Sequence, residues 1–132
     1  MSVLASSPTA LQAAAVAVGA AAGALARWGA GLAFNGLWSG FPLGTLLVNA
    51  VGGLLIGVCM VWFARSPHEL LRLLLVTGVL GGFTTFSSFS AESLGLLQRG
   101  DIGLALLHSA AHLLGALACT ALGYALGRWL LP

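Results

Sequence analysis

Ten consecutive residues, Gly81-Gly82-Phe83-Thr84-Thr85-Phe86-Ser87-Ser88-Phe89-Ser90, concentrate polar chemistry inside a long apolar run. Five carry hydroxyls, two are adjacent glycines, and three phenylalanines recur at three-residue spacing. The run reads as a membrane span, and in lipid every polar group must find a partner inside the protein. The stretch is therefore expected to face a partner subunit, a water-filled cavity or a bound ion. Its hydroxyls, together with the Asn49 amide, are hydrogen-bond donors. Phe86 and Phe89, three apart, share a helix face, and an aromatic ring has a positive edge. Ring edges with hydroxyl and amide donors suit a small anion stripped of water. The competing reading is plain packing, with each hydroxyl bonded to the carbonyl four residues back. Five hydroxyls within seven residues, beside a Gly-Gly pair, favour the first.

Other residues offer further chemistry. Gly78, Gly81 and Gly82 sit in a span longer than a bilayer needs, so an interruption is expected there. Irregular backbone at membrane depth survives only where it is buried in protein or lines a cavity. Carbonyls freed at such a break are good ligands for a small, hard cation. On the last span His108, His112, Ala116 and Thr120 recur every four residues and lie along one face. Two His at i, i+4 can bind zinc, but no third ligand is evident. Interhelical hydrogen bonding and lining an ion path are the other readings. Asn49 reads either as glue between helices or as an amide aimed at a pore. Arg27 reads either as an interface anchor beside Trp28 or as a positive charge at the mouth of an anion path. Glu92, near the end of its run, is the only acid within a span, and a proton-coupled exporter would want such a carboxylate. There is no Gly-x-Ser-x-Gly elbow, His-Glu-x-x-His, P-loop or pair of intramembrane acids, so no enzyme activity is expected.

The elements that must position these residues follow from composition. The chain has 132 residues, 59% hydrophobic and 6% charged. Soluble domains carry roughly 25% charged residues, so this is a polytopic membrane protein. At about 20 residues per membrane helix, four spans fit, at about residues 11–34, 43–64, 70–98 and 102–131, forming one domain over residues 1–132. Met1 to Ala10 has no Lys or Arg, so the first apolar run is expected to remain as a span. Gly19-Ala-Ala-Ala-Gly23, Gly53-Leu-Leu-Ile-Gly57 and Gly123-Tyr-Ala-Leu-Gly127 are faces that allow close helix approach. A net charge of +2 is too small for a nucleic-acid surface. Cys59 and Cys119 lie mid-span and read as packed thiols. Four spans put Arg65, Arg72 and Arg128 on one side and Arg27 and Arg99 on the other. Orientation follows the Lys/Arg bias, and this one is feeble enough for insertion both ways, which permits an antiparallel dimer.

Three segments carry a resemblance over nearly the whole chain: Gly23-Ala-Leu-Ala-Arg27-Trp28, Gly44-Thr-Leu-Leu-Val-Asn49, and Gly81 through Ser90 continued by Ala91-Glu92. The chain resembles the Fluc (CrcB) family of bacterial fluoride channels. The resemblance implies an all-α membrane protein, four spans with the third broken mid-membrane, assembled as an antiparallel dual-topology homodimer in the bacterial inner membrane. It implies passive export of cytoplasmic fluoride, which protects the cell from fluoride toxicity. Phe86 and Phe89 match the phenylalanines lining the pores, and Asn49 matches the pore asparagine. Ser87, Ser88 and Thr120 fall along or near the ion path, and Arg27 falls near the vestibule. Backbone carbonyls at Gly81 and Thr84 match those holding a structural sodium ion at the dimer centre; no organic cofactor is implied. The alternative is a four-span, proton-coupled dimeric exporter of small cations that works through Glu92.

The chain departs from the family pattern on the last span. His108 and His112 stand where Tyr and Ser are expected, and Ala116 where Ser is expected. Neutral His still donates one N–H. A charged His would hold fluoride more tightly, and conduction needs binding weak enough to release. Transport is therefore expected to depend on pH near the His reference value of about 6.5. A fluoride-flux profile against pH that is unchanged when His108 and His112 both become Ser would contradict this.

Overall fold

A computed structural model describes residues 8–132, and all regular structure among them is helical. The segment ahead of Pro8, on which part of the N-terminal reading rests, lies outside the described residues. Four helical segments are long and apolar enough to cross a membrane: Thr9–Phe34, Leu43–Arg65, Glu69–Gln98 and Ile102–Leu130.

Helix α1 spans Pro8–Phe34. It opens on proline, whose missing N–H costs nothing in a first turn. Helix α2, Leu43–Arg65, follows Pro42, which is extended at φ −73°. The third segment is composite. It opens with α3, Glu69–Arg72, whose N–H of Leu71 is capped by the His68 ring. A π-helical stretch, Leu73–Leu80, follows, then the single turn α4, Gly81–Phe83. Thr84 and Thr85 are extended, with ψ of 158° and 121°. Helix α5, Phe86–Gln98, starts afresh with the Thr85 hydroxyl as its N-cap. Gly100, at φ 80°, makes the turn into α6, Ile102–Leu130; a side chain would strain that backbone.

The helices associate as two close pairs, α2 with α6 and α1 with the π-helical stretch and α4, while α5 lies on α6. Glycine decides both pairs. A Cβ at Gly57 or Gly123 would run into the carbonyls of Thr120 and Leu54 across the α2–α6 contact. One at Gly19 or Gly23 would meet the carbonyls of Leu74 and Val79. The small-residue faces of the sequence thus sit where backbones touch. Large apolar side chains point outward instead: Leu32 is 70% exposed and Trp129 81%. That is the arrangement lipid favours, because association in membranes rests on packing and hydrogen bonds rather than on apolar burial.

Gly123→Ala should lower the thermal unfolding midpoint of the detergent-solubilised protein, by an overpacking cost of about 1–3 kcal/mol. Gly103→Ala, which meets nothing within 4 Å, should not lower it.

Candidate functional site

The site begins with two backbone groups that a continuous helix would have paired. In such a helix the Thr85 N–H would donate to the Gly81 carbonyl, four residues back. It donates instead to Asn49 Oδ1 at 2.8 Å, and Asn49 Nδ2 donates back to the Thr85 carbonyl at 3.0 Å. This reciprocal pair fixes the amide's orientation. It leaves one Nδ2 hydrogen, which points at His112 Nδ1, 3.0 Å away. An amide NH2 offers no lone pair, so Nδ1 is the acceptor. His112 is therefore neutral, with its proton on Nε2. That Nε2 is buried and has no hydrogen-bond partner among the described residues. Protonating His112 requires Asn49 to release Nδ1.

A second network lies one turn along α6. His108 Nε2 is 3.2 Å from Glu92 Oε2, and its Nδ1 is 2.7 Å from Ser93 Oγ. The other Glu92 oxygen accepts from the Thr45 hydroxyl at 2.5 Å, and the Thr45 N–H donates to Asn35 Oδ1 at 3.2 Å. Phe89 joins the two networks. Its ring stacks on His108 at 5.5 Å and on His112 at 4.7 Å, and meets Phe86 edge to face at 5.3 Å.

Two cavities flank these groups. One, of about 410 Å³, is lined by Asn49, Gly81, Thr84, Phe86, Phe89 and His112 among others. The other, of about 390 Å³, is lined by Arg27, Asn35, Thr45, Ser88 and Glu92 among others. Thr85 lines both. Arg27 reaches across from α1, and its Nε donates to the Gly82 carbonyl at 2.9 Å.

The residues singled out in the sequence therefore divide. Asn49, Thr85, Phe86, Phe89 and His112 meet at the first cavity; Arg27, Ser88 and Glu92 meet at the second. Ser87 pairs with the Thr85 hydroxyl at 3.3 Å. Thr84, Ser90 and Thr120 follow the ordinary pattern, donating to the carbonyls of Leu80, Phe86 and Ala116 four residues back. Thr120 faces Gly53 and lines neither cavity. Phe89 is buried, whereas Phe86 is 72% exposed in the single chain. Thr45 and Ser93 were not singled out, although Thr45 lies one helical turn from Asn49, and Ser93 one turn from Phe89.

Comparison with known proteins bears on this geometry. Residues 14–124 match the family model described as CrcB-like protein, Camphor Resistance (CrcB). A protein of Bordetella petrii named Fluoride-specific ion channel FluC is 54% identical over 113 residues, covering 84% of this chain and 87% of the relative. Proteins of the same name from Aromatoleum aromaticum and Pseudomonas aeruginosa are each 50% identical. The first pairs 84% of this chain with 86% of the relative, the second 89% with 94%.

Proposed function

Because the chain belongs to the CrcB-like family, we propose that its two cavities, which share Thr85 as a lining residue, form the fluoride path of a fluoride-specific ion channel. The chain is a multi-pass protein of the bacterial inner membrane and a channel rather than an enzyme. The observation that carries the path is the Asn49 bridge. It holds a polar backbone segment at a cavity and, by donating to His112 Nδ1, leaves the His112 Nε2–H as the unspent donor, with Phe86 and Phe89 lining the same cavity.

The chemistry matches a small, strongly hydrated anion. Arg27 and Ser88 at the second cavity draw the anion in and begin to replace its water. Past Thr85 the replacements are the His112 Nε2–H and the rings of Phe86 and Phe89, whose edges carry the positive end of the quadrupole. None of these is a fixed charge deep in the path. Selectivity then comes from a narrow route with rigid partners rather than from a charged site, which would admit chloride as well. Flow is passive. Neutral HF crosses lipid and loses its proton in the more alkaline cytoplasm. The negative-inside potential then drives the stranded anion out.

The Thr84–Thr85 interruption lies at membrane depth within the third span. Phe86, so exposed in one chain, is covered by a second copy in an antiparallel dimer, which the feeble arginine bias permits. The residues fit a structural sodium ion on the dimer axis. The Gly81 carbonyl loses its helical partner because Thr85 N–H goes to Asn49. The Thr84 carbonyl loses its own because Ser88 N–H goes to the Thr85 hydroxyl at 3.1 Å. Carbonyls released from their helical donors at an interruption are suitable ligands for that ion, whose charge would hold the two interruptions together. The exporter reading has less support, since Glu92 already bonds His108 and Thr45.

Liposomes holding the purified protein should release fluoride rapidly and chloride negligibly, read with two ion-selective electrodes while valinomycin carries potassium. Phe86→Ile should abolish fluoride release. Equal release of both anions, or fluoride release that needs a proton gradient, would overturn the reading.

A further inference from the structure

The cluster that contributes His112 to one cavity and Glu92 to the other has the composition of a cation site. Glu92 on α5 and His108 and His112 on α6 each offer one ligand atom, and these atoms all lie within 4.8 Å of one another. Both histidines are buried, His108 at 0% exposure and His112 at 4%. The sequence shows the two His at zinc spacing but no third ligand; the fold brings Glu92 to them from another helix. A second observation is that the buried His112 Nε2 has no partner among the described residues, so a shift of its proton to Nδ1 turns it into a free ligand atom without breaking any bond at Nε2.

We propose that Glu92, His108 and His112 bind a divalent transition ion of the zinc type, and that the bound ion blocks the path. Two imidazoles and one carboxylate form a ligand set zinc accepts, with a fourth position left for water or an anion. Calcium and magnesium prefer all-oxygen sets. Bonds of about 2.0–2.1 Å put tetrahedral ligand atoms about 3.4 Å apart, so the three side chains close in by up to about 1.4 Å. Supporting bonds of the kind that orient metal ligands are in place. The second His108 nitrogen faces Ser93 Oγ, and the Thr45 hydroxyl holds the other Glu92 oxygen.

Binding has a cost at Asn49, and that cost couples the metal to the path. If His112 coordinates through Nδ1, the metal takes the lone pair to which Asn49 donates. If it coordinates through Nε2, the proton moves to Nδ1 and meets the Asn49 NH2. Either way the Asn49–His112 bond is lost. The ion also sits between a cavity that His112 lines and one that Glu92 lines. Metal binding stands on the cluster alone; the block rests on the fluoride-path reading.

The test titrates purified full-length protein with zinc by calorimetry and with cobalt(II) by visible absorption. One ion per chain should bind, with cobalt bands of a four- or five-coordinate site. His112→Gln and Glu92→Gln should each weaken binding by about 100-fold or more, while His68→Ala, outside the cluster, should not. If one variant fails to fold, the other and the wild-type cobalt spectrum still decide. No saturable binding, or binding that survives in both Gln variants, overturns the site. Zinc should also slow fluoride efflux from wild-type liposomes. Binding that depends on the triad without slowing efflux overturns the block alone. Absent efflux from untreated wild-type protein would count against the fluoride reading and leave the binding result standing.

Discussion

In lipid a backbone N–H or C=O without a partner costs several kcal/mol, and the Asn49–Thr85 pair is how this chain meets that constraint. One side-chain amide satisfies both polar groups of an extended residue. Everything around it depends on the exchange. Because Thr85 is held extended, its hydroxyl is free to cap α5 and α5 can restart in a new direction. Because α5 restarts there, Phe86 and Phe89 begin a helix instead of continuing one. Because the amide is locked by Thr85, its last hydrogen can only reach His112, and that sets which His112 nitrogen carries the proton.

The glycine faces serve the same arrangement at longer range. Asn49 reaches Thr85 only if α2 approaches the third segment closely; at Gly52 a Cβ would collide with the Thr84 methyl. Arg27 reaches the Gly82 carbonyl only because α1 packs backbone to backbone against the π-helical stretch and α4. The wide turns of Leu73–Leu80 lie one short turn, Gly81–Phe83, ahead of the interruption, in keeping with the tendency of π-helical turns to occur at functional sites. The small residues therefore do more than permit packing. They set the reach of the polar side chains that complete the interrupted backbone.

Much of this was legible in the sequence, and the limits are physical. Four apolar runs, their glycine spacings and the hydroxyl-rich stretch are local patterns, and local patterns survive in one dimension. Which hydroxyls matter did not. Thr84, Ser90 and Thr120 bond back to their own helices, whereas Thr85 caps the next one, and only the φ and ψ of the chain at that point distinguish them. The role of Glu92 was also out of reach. It is 16 residues from His108, and the turn at Gly100 folds α5 and α6 together so that the two meet. Asn49 left two readings open in the sequence, helix glue and pore amide. The structure shows one amide making the interhelical bonds and lining the cavity at once.

The central claim is that Asn49 holds Thr85 extended, and amide hydrogen exchange at Thr85 tests it most directly. Losing the acceptor of a buried N–H costs about 1–3 kcal/mol, so Asn49→Ala should speed exchange at Thr85 by roughly 5- to 150-fold. Amides in the middle of α2 and α6 should be little changed. A Thr85 amide equally protected with and without Asn49 would contradict the account, because some other group would then be holding the interruption open.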